Sequence, residues 1–333
     1  MKTQRIPFWD NVRFFLILLV VIGHFLDQVD SELFKGIFLF IYSFHMPLFL
    51  FVSGLFHRNV RIDEKVVSYF SIYVLLKLFF LILYRILGWS YTFSLLTERG
   101  VPWFMFALAV FTALTWLLRN AKPLPVLGIN LLLACIAGYF SAIGDFLMLS
   151  RLLVFYPFYY LGTRIDRKKL EQLCDHRWLR VAGAVILLVW LALCIFDRSQ
   201  LYFLRRFFVG RHSYSEARYA LGPLYRLFSY GVSALFGFFV LAVVPRRNLG
   251  FLTLAGSRTL QVYFWHYYFL YVLIWFGVHT QICATFPGKL LWIVIAVALT
   301  LLLSLKPFGF LTDQVLRFPG KIKEMAKKRR TGA

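Results

Sequence analysis

The stretch LFKGIFLFIYSFHMPLFLFVSGLF, residues 33–56, is apolar almost throughout, with Lys35 and His45 as its only ionisable residues. A membrane-spanning helix needs about 20 consecutive apolar residues, because the hydrocarbon core of a bilayer is about 30 Å thick. The stretch is long enough, and it lacks the strict alternation that a strand of an outer-membrane barrel would show. It therefore predicts a transmembrane helix in an all-α integral membrane protein.

The rest of the chain repeats this pattern. Of its 333 residues, 60% are apolar and only 16% are charged, whereas soluble domains carry about 25% charged residues. Ten segments are candidate spans: Val12–Leu26, Leu33–Phe56, Val66–Leu87, Val101–Leu118, Leu124–Phe140, Leu149–Gly162, Leu179–Phe196, Gly222–Val244, Thr259–Val278 and Leu290–Leu305. The first, sixth and last are short or weakly bounded, so a bundle of about ten helices is predicted, with nine or eleven as alternatives.

Basic residues concentrate in alternate connecting segments: 1–11, 57–65, 119–125, 164–180, 245–258 and 306–333. Lys and Arg are retained on the cytoplasmic side of membranes, so both termini are predicted to be cytoplasmic. The net charge of +22 is thereby explained without a nucleic-acid partner. The expected organisation is a transmembrane domain, residues 1–305, and a basic tail, residues 306–333, that is solvated or contacts anionic membrane lipids.

Two further features are assigned structural roles. The first span is followed by Asp27-Gln28-Val29-Asp30, without a small-x-small cleavage site, so it is expected to be retained rather than removed as a signal peptide. The four cysteines lack CxxC spacing and are expected to be buried small apolar residues: Cys135, Cys174, Cys194 and Cys283.

Ionisable residues within spans are functional candidates, since a charge at the bilayer centre costs about 2.5–3.5 kcal/mol on insertion scales. Arg13 and His24 are eleven residues apart, which on a helix is three turns plus about 20°, so they share one face about 16 Å apart. An arginine at the helix entry suits an anionic cosubstrate, and a deep imidazole suits a general base. The alternatives are that Arg13 anchors the helix among lipid headgroups and that His24 is a polar packing residue.

His45 is predicted to lie at a depth similar to His24, two residues before Pro47. The proline leaves the carbonyl four residues earlier without its helical partner, and broken membrane helices occur where they line a cavity. Two histidines at one depth suggest metal, but no third ligand has recognisable spacing, so no metal site is expected. Asp27, one turn after His24, either orients its imidazole or solvates the helix end.

The arginine, ten intervening residues and a histidine formed by Arg13 and His24 resemble the hallmark of the acyltransferase-3 family of membrane acyltransferases. Four more segments resemble motifs of that family in the same order: FHMPLFLFVSG at 44–54, PWFM at 102–105, FYPFYYLG at 155–162 and GSRTLQVYFWH at 256–266. Met105 departs from the usual leucine, a mild change. The chain looks closest to stand-alone members grouped with fucose 4-O-acetylase, without an appended extracytoplasmic domain.

The resemblance implies transfer of an acyl group, usually acetyl, from cytoplasmic acyl-CoA to a hydroxyl of a cell-surface or lipid-linked glycan, in a bacterial inner (cell) membrane. It implies that His24 is the catalytic histidine, as a general base or an acyl carrier, and that Arg13, Arg58 and Arg61 contact acetyl-CoA, which is a donor substrate and not a bound cofactor. Arg58 and Arg61 are equally explained as ordinary cytoplasmic charges.

Further candidates for catalytic and substrate-binding residues follow from their positions in or beside the predicted spans. Tyr263, Trp103 or Ser53 would supply an oxyanion donor, so Tyr263 joins His24 and Asp27 as a catalytic candidate. Substrate contacts are expected from His45, Trp103, Arg151, His266, Arg205 and Arg206. The last two lie in segment 197–221, which carries five arginines on the side where basic residues should be scarce. That segment is either an acceptor-binding surface or an interfacial segment whose arginines meet lipid phosphates.

A transporter or polysaccharide exporter is the alternative from another functional class, because ten spans, buried charges and a broken helix also fit a carrier. Against it, the two halves of the chain show no evident repeat of the kind common in transporters.

Overall fold

The computed structural model describes residues 6–331, with side chains as far as residue 323, and within these residues it contains helices and no strand. Its α-helices are α1 (Pro7–Leu26), α2 (Glu32–Tyr42), α3 (His45–Leu55), α4 (Ile62–Ile86), α5 (Trp103–Leu117), α6 (Pro123–Ala137), α7 (Leu149–Arg164), α8 (Arg167–Leu173), α9 (Arg177–Phe196), α10 (Arg198–Leu201), α11 (Arg205–Val209), α12 (Gly222–Val243), α13 (Phe251–Gly256), α14 (Thr259–Trp275), α15 (Val278–Ile282), α16 (Phe286–Leu303) and α17 (Phe310–Thr331). Short 3₁₀ turns lie at Ser141–Ile143, Tyr202–Leu204, Glu216–Arg218 and Lys306–Gly309.

Six helical segments of the described chain are long and apolar enough to cross a membrane: α1, α2 together with α3, α4, α9, α12 and α16. The other four predicted spans are also helical, as α5, α6, α7 and α14, but these have only 15 to 17 residues. At a rise of 1.5 Å per residue such helices are about 22–26 Å long, which is shorter than the bilayer core. The prediction of a helical, multi-pass membrane protein is therefore confirmed, whereas the count of ten and the cytoplasmic termini remain predictions.

Burial separates a central helix from peripheral ones. In an apolar 18-residue stretch of α1, 72% is buried inside the protein, whereas the corresponding share is 22% in both α9 and α16. The exposed side chains of α9 include Val181, Val185 and Leu188, and a continuous apolar outer surface of this kind requires lipid contact. Helix α1 packs against α2, α3, α13, α14 and α16, so its side chains are surrounded by protein.

The second span is broken, as Pro47 predicts. Helix α2 ends at Tyr42 and α3 begins at His45. The carbonyl of Ser43, which has lost its helical partner to the proline, accepts a hydrogen bond of 2.6 Å from Ser233 Oγ on α12. The Ser43 hydroxyl in turn accepts a hydrogen bond of 3.0 Å from the indole of Trp190 on α9. Neighbouring helices thus satisfy the polar groups that the break exposes.

Helices α3 and α7 approach each other through glycines. A Cβ on Gly54 would collide with the backbone of Tyr159, and a Cβ on Gly162 would collide with the backbone of Phe51. Both positions need glycine for this close approach. The contact fixes α3, which carries His45, against α7, which carries Arg151.

Candidate active site

His24 lies near the end of the central helix α1, and two rings of α14 contact it. Its imidazole stacks on that of His266, with ring centroids 5.4 Å apart, and meets the edge of Tyr267 at 4.8 Å. The residue remains partly accessible. His45 and Arg151 are also close enough to interact with it electrostatically. The structure therefore gathers four residues that were predicted separately: His24, His45, Arg151 and His266.

Two of these histidines have a defined tautomer. His45 Nδ1 lies 2.9 Å from the carbonyl oxygen of Ile41, and His266 Nδ1 lies 2.8 Å from that of Tyr263. Because a carbonyl can only accept, each Nδ1 carries the hydrogen, and in the neutral ring Nε2 is left as an acceptor. His266 Nε2 is completely buried without a hydrogen-bond partner among the described residues. It can accept a hydrogen bond from a hydroxyl that enters the site.

Arg151 brings a buried cation to the same place. Its side chain is only 5% exposed, its Nη2 donates to the carbonyl of Arg99 at 3.1 Å, and its guanidinium lies 5.1 Å above the ring of Trp103. Nη1 is buried and has no hydrogen-bond partner in the described part of the chain. A buried donor without a partner is costly, so this group is available to an oxygen atom of a substrate.

A cationic cavity lies at the end of the bundle where α1 begins, here called the Arg13 end. Arg13 lines a space of about 320 Å³ together with Ser53, Tyr159 and Tyr263; its Nη1 lies 3.2 Å from Asp10 Oδ1, and its guanidinium lies 4.1 Å from the centre of the Phe56 ring. An adjoining cleft of about 390 Å³ is lined by Arg58, Arg61, Glu64 and Lys65. The two spaces share Lys65, Tyr69 and Leu316, and together they are called the Arg13 cavity.

A larger cavity, of about 760 Å³, lies at the opposite end of the bundle, here called the Asp27 end. It is called the tyrosine cavity. Four tyrosines and four charged residues contribute to its wall: Tyr84, Tyr91, Tyr267, Tyr271, Lys77, Glu98, Arg99 and Asp145. Lys77 and Glu98 form a buried ion pair at 2.5 Å. The Arg13 and tyrosine cavities differ in charge, since the second contains equal numbers of cations and anions.

Helix α14 separates the two cavities and contributes to both. Tyr263 lines the Arg13 cavity, His266 stacks on His24, and Tyr267 lines the tyrosine cavity. Positions three and four apart share one face of a helix, so a single face of α14 carries all three. Neither the Arg13 cavity nor the tyrosine cavity is lined by both Arg13 and His24. His24 instead contacts the helix that contributes to both cavities.

Residues 6–305 match the family model described as an acyltransferase domain, acyltransferase 3. The chain belongs to the acyltransferase-3 family. The match ends where the predicted basic tail begins. Searches among curated proteins and among solved structures give no match. Membership supports acyl transfer as the chemistry of this membrane protein, and it favours an enzyme over the transporter alternative.

Three predicted site residues of this acyltransferase have other partners. Asp27 accepts a hydrogen bond of 2.7 Å from Arg205, and no hydrogen bond to His24 is present among residues 6–331. Arg206 donates to the carbonyl of Ser213 at 3.3 Å. The Tyr263 hydroxyl donates to the carbonyl of Val101, so its hydrogen is already used in this arrangement. Among the predicted oxyanion donors, Trp103 serves instead as a surface for Arg151.

The pKa values of Asp145 and His57, which lie outside the spans, are shifted from their usual values. Burial raises the pKa of Asp145, but hydrogen bonds and charges from Arg211 and Arg99 outweigh it, so the pKa lies below its usual value. Burial lowers the pKa of His57, which borders the Arg13 cavity. A hydrogen bond with Asn59 opposes that shift, and the charge of Lys65 adds to it. His57 therefore favours the uncharged form, and it adds no cation to the Arg13 cavity near neutral pH.

The described residues of the acyltransferase contain no group of three or more His, Cys, Asp or Glu that could hold a metal ion. The four cysteines are buried and unpaired.

The tyrosines of the second cavity were not recognised from the sequence. Tyr267 and Tyr271 follow Tyr263 at intervals of four on an apolar helix, and this pattern is equally typical of a packed core. Tyr84 and Tyr91 come from the end of α4 and the segment that follows it. A cavity assembled from segments nearly 190 residues apart leaves no local signal.

Proposed function

We propose that this protein transfers an acyl group, acetyl by expectation from the family, from acyl-CoA to a hydroxyl of a cell-surface or lipid-linked glycan. The observation that carries the proposal is the position of His24, between a cationic cavity and a polar one that lie at opposite ends of the bundle. Such a position allows two substrates to approach one imidazole from two sides.

Acyl-CoA binds in the Arg13 cavity under this proposal. Its phosphate groups need cations, and Arg13, Arg58, Arg61 and Lys65 line the cavity against the single carboxylate of Glu64. Arginine binds phosphate oxygens bidentately. Arg58 and Arg61 are exposed, as is expected for groups that meet a ligand arriving from water. Tyr263 and Phe104 continue the wall inward, which directs the thioester toward α14.

His24 acts on the acceptor hydroxyl in the proposed reaction. It takes the hydroxyl proton while the oxygen forms a bond to the acyl carbon; the carbon–sulfur bond breaks, and the thiolate of CoA receives the proton from the imidazolium. In the alternative route, His24 takes the acyl group on nitrogen and then passes it to the hydroxyl. Both routes release CoA and an ester, and both pass through an oxyanion on the acyl carbon.

We assign the oxyanion donor to Arg151 Nη1, because it is buried without a partner among the described residues and the charge of Arg151 acts on His24. A preorganised donor in a water-poor site stabilises developing negative charge strongly. His266 Nε2 is the complementary acceptor for the acceptor hydroxyl and would position it. These roles use the groups whose hydrogen-bonding capacity is unfilled, whereas Tyr263 and Asp27 have partners already.

The proposed location is the inner (cell) membrane of a bacterium, with the Arg13 end and both termini in the cytoplasm, where acyl-CoA is made. The glycan then reaches the Asp27 end from outside. Most basic connecting segments belong to the Arg13 end, in keeping with this orientation.

The test is the His24→Ala variant, measured by the release of CoA from labelled acetyl-CoA and by mass spectrometry of the host's surface glycan. Transfer should fall by at least about 10²-fold, as is typical for loss of a general base. His176→Ala is the matched control, since His176 is exposed at the start of α9, and it should retain full transfer. Unchanged glycan acylation in the His24 variant contradicts the proposal, and a wild-type protein that moves substrate without releasing CoA supports a carrier instead.

A further inference from the structure

The tyrosine cavity has no part in holding acyl-CoA under the proposed function, yet Tyr267 of its wall contacts His24. We propose that this cavity binds the acceptor and that it accepts an uncharged sugar unit. The inference rests on the proposed function and adds to it the place and the chemical class of the acceptor. The volume of the tyrosine cavity, about 760 Å³, falls within the range of small-molecule sites, about 300–1,000 Å³.

The aromatic wall leads from the mouth of the cavity to His24. The rings of Tyr91 and Tyr84 lie 5.1 Å apart, Tyr84 and Tyr271 lie 5.5 Å apart, and Tyr271 and Tyr267 lie 4.6 Å apart. Tyr267 then contacts His24. All four tyrosines are partly exposed. Tyrosine offers an apolar face and a hydroxyl, which match the C–H face and the hydroxyl groups of a sugar ring.

The charges of the cavity are paired with one another. Lys77 and Glu98 are 2.5 Å apart, with side chains only 2% and 8% exposed. Arg99 Nε lies 2.9 Å from Asp145, a carboxylate that it shares with Arg211 from outside the wall. An anionic sugar would need a cation without a partner, and a cationic sugar would need such an anion. Neither is present among the described lining residues. Paired charged groups still donate and accept hydrogen bonds, which suits the hydroxyls of a neutral sugar.

The wall that carries these charges is held rigidly. Leu147 N donates to the carbonyl of Leu96 at 2.6 Å, Glu98 N donates to that of Asp145 at 3.3 Å, and Gly100 N donates to the carboxylate of Glu98 at 2.6 Å. A preformed wall lowers the ordering cost of binding.

The arginines of segment 197–221 compare poorly as an acceptor site. Arg205 is paired with Asp27 at 2.7 Å, Arg198 with Glu32, and Arg211 with Asp145 at 2.5 Å. These pairs tie the segment to neighbouring parts of the Asp27 end. Carboxylates thus pair with three of the five arginines of the segment, and Arg206 donates to the carbonyl of Ser213, which favours the tyrosine cavity as the acceptor site.

The experiment uses the purified full-length protein with Thr92→Cys, since Thr92 is exposed on the cavity wall and the native cysteines are buried. The rate of labelling by a fluorescent maleimide is measured with methyl glycosides of glucose, galactose, fucose and N-acetylglucosamine, and with methyl glucuronide. At least one neutral glycoside should slow the labelling, and methyl glucuronide should not. Adding Tyr271→Ala should raise the protecting concentration about tenfold, as for loss of a tyrosine contact that a bound sugar would cover.

Tyr219→Ala is the matched control, because Tyr219 belongs to the same end but packs on Tyr139 outside the cavity, and it should leave protection unchanged. Protection by methyl glucuronide equal to that by the neutral sugars, protection that survives Tyr271→Ala, or no protection by any neutral glycoside would overturn the inference. Release of CoA that depends on His24 is measured in the same preparations. If CoA release persists while no glycoside slows the labelling of the Thr92→Cys protein, only the proposed acceptor site is contradicted. If CoA release is absent, the proposed function itself fails.

Discussion

Arg151 shows how one residue combines burial with unused hydrogen-bonding capacity. The guanidinium is fixed on one side by the Arg99 carbonyl and on one face by the Trp103 ring, while Nη1 has no partner in the described chain. Holding a cation in this state costs stability, and under the proposed function an oxygen atom of the substrate offsets that cost by accepting a hydrogen bond from the free donor. The residue is therefore a sharper test of the proposed chemistry than the surface arginines are.

Replacing Arg151 with methionine should lower kcat for acyl transfer about 10²- to 10³-fold, the usual cost of losing an oxyanion donor. The KM for acetyl-CoA should change little, because the cations proposed to bind its phosphates line the Arg13 cavity, and Arg151 is not among those lining residues. Initial rates on the folded fraction, isolated by size-exclusion chromatography, measure both constants. Arg226→Met is the matched control: Arg226 is equally buried, with two unsatisfied nitrogens, but it donates to the Phe207 carbonyl away from His24. Equal losses of kcat in the two variants would argue against a catalytic role for Arg151.

The sequence predicted candidate residues better than it predicted their partners. Arg13 and His24 stand out because eleven residues return a helix to the same face, and His45 and His266 stand out because they are ionisable in apolar segments. The stacking of His266 on His24 depends on how α14 packs against α1. For Asp27 the helix spacing left two roles open, orienting the imidazole or solvating the helix end, and it did not predict the partner that the structure gives it, Arg205, 178 positions away.

At the scale of elements, the broken second span is stabilised from a distance. Pro47 determines that the Ser43 carbonyl loses its partner within the helix, and Ser233 on α12 supplies the replacement. His45 begins the second half of this span, so the bond helps to set the position of a residue of the candidate site. The break can be predicted from the sequence, but the partner, 190 positions away, cannot.

Ser233→Ala should lower the free energy of unfolding by about 1–3 kcal/mol, because a buried carbonyl is left without a hydrogen bond. Ser229→Ala is the matched control, since both side chains are 4% exposed on α12, but the Ser229 hydroxyl bonds only to the Tyr225 carbonyl of its own helix at 2.8 Å. The midpoint of thermal unfolding, measured by intrinsic fluorescence in one detergent, compares the two. If the unfolding midpoint of Ser229→Ala falls as far as that of Ser233→Ala, the effect comes from the lost side-chain volume and not from the hydrogen bond between Ser233 and the Ser43 carbonyl.

Apolar runs in the sequence overestimate the length of some helices. Segments 101–118 and 124–140 predict spans, whereas α5 and α6 each have 15 residues. Leu118, at the end of the first run, lies outside its helix. Residues 141–148, which follow the second run, form turns, and Asp145 among them lines the tyrosine cavity. Apolar residues near a membrane surface need not be helical when protein covers them.

For the whole molecule, the positive-inside pattern makes a prediction about sidedness. His212, in segment 197–221, should be outside the cell, and Lys122, between α5 and α6, should be in the cytoplasm. A membrane-impermeant maleimide added to intact cells should label His212→Cys and should label Lys122→Cys only after permeabilisation. Labelling of both positions in intact cells, or of Lys122→Cys alone, would contradict the predicted arrangement of ten spans with both ends inside.

The difference in charge between the two cavities has a consequence for how dissolved salt affects them. Screening weakens attraction between exposed charges over about 10 Å at 0.1 M ionic strength, and the Arg13 cavity presents Arg58 and Arg61 to solvent. The tyrosine cavity holds ion pairs instead, one of them deeply buried. If the proposed substrates bind where they are assigned, rising ionic strength should weaken the capture of the phosphate-bearing one at the Arg13 end and leave the affinity for the neutral one at the Asp27 end nearly constant.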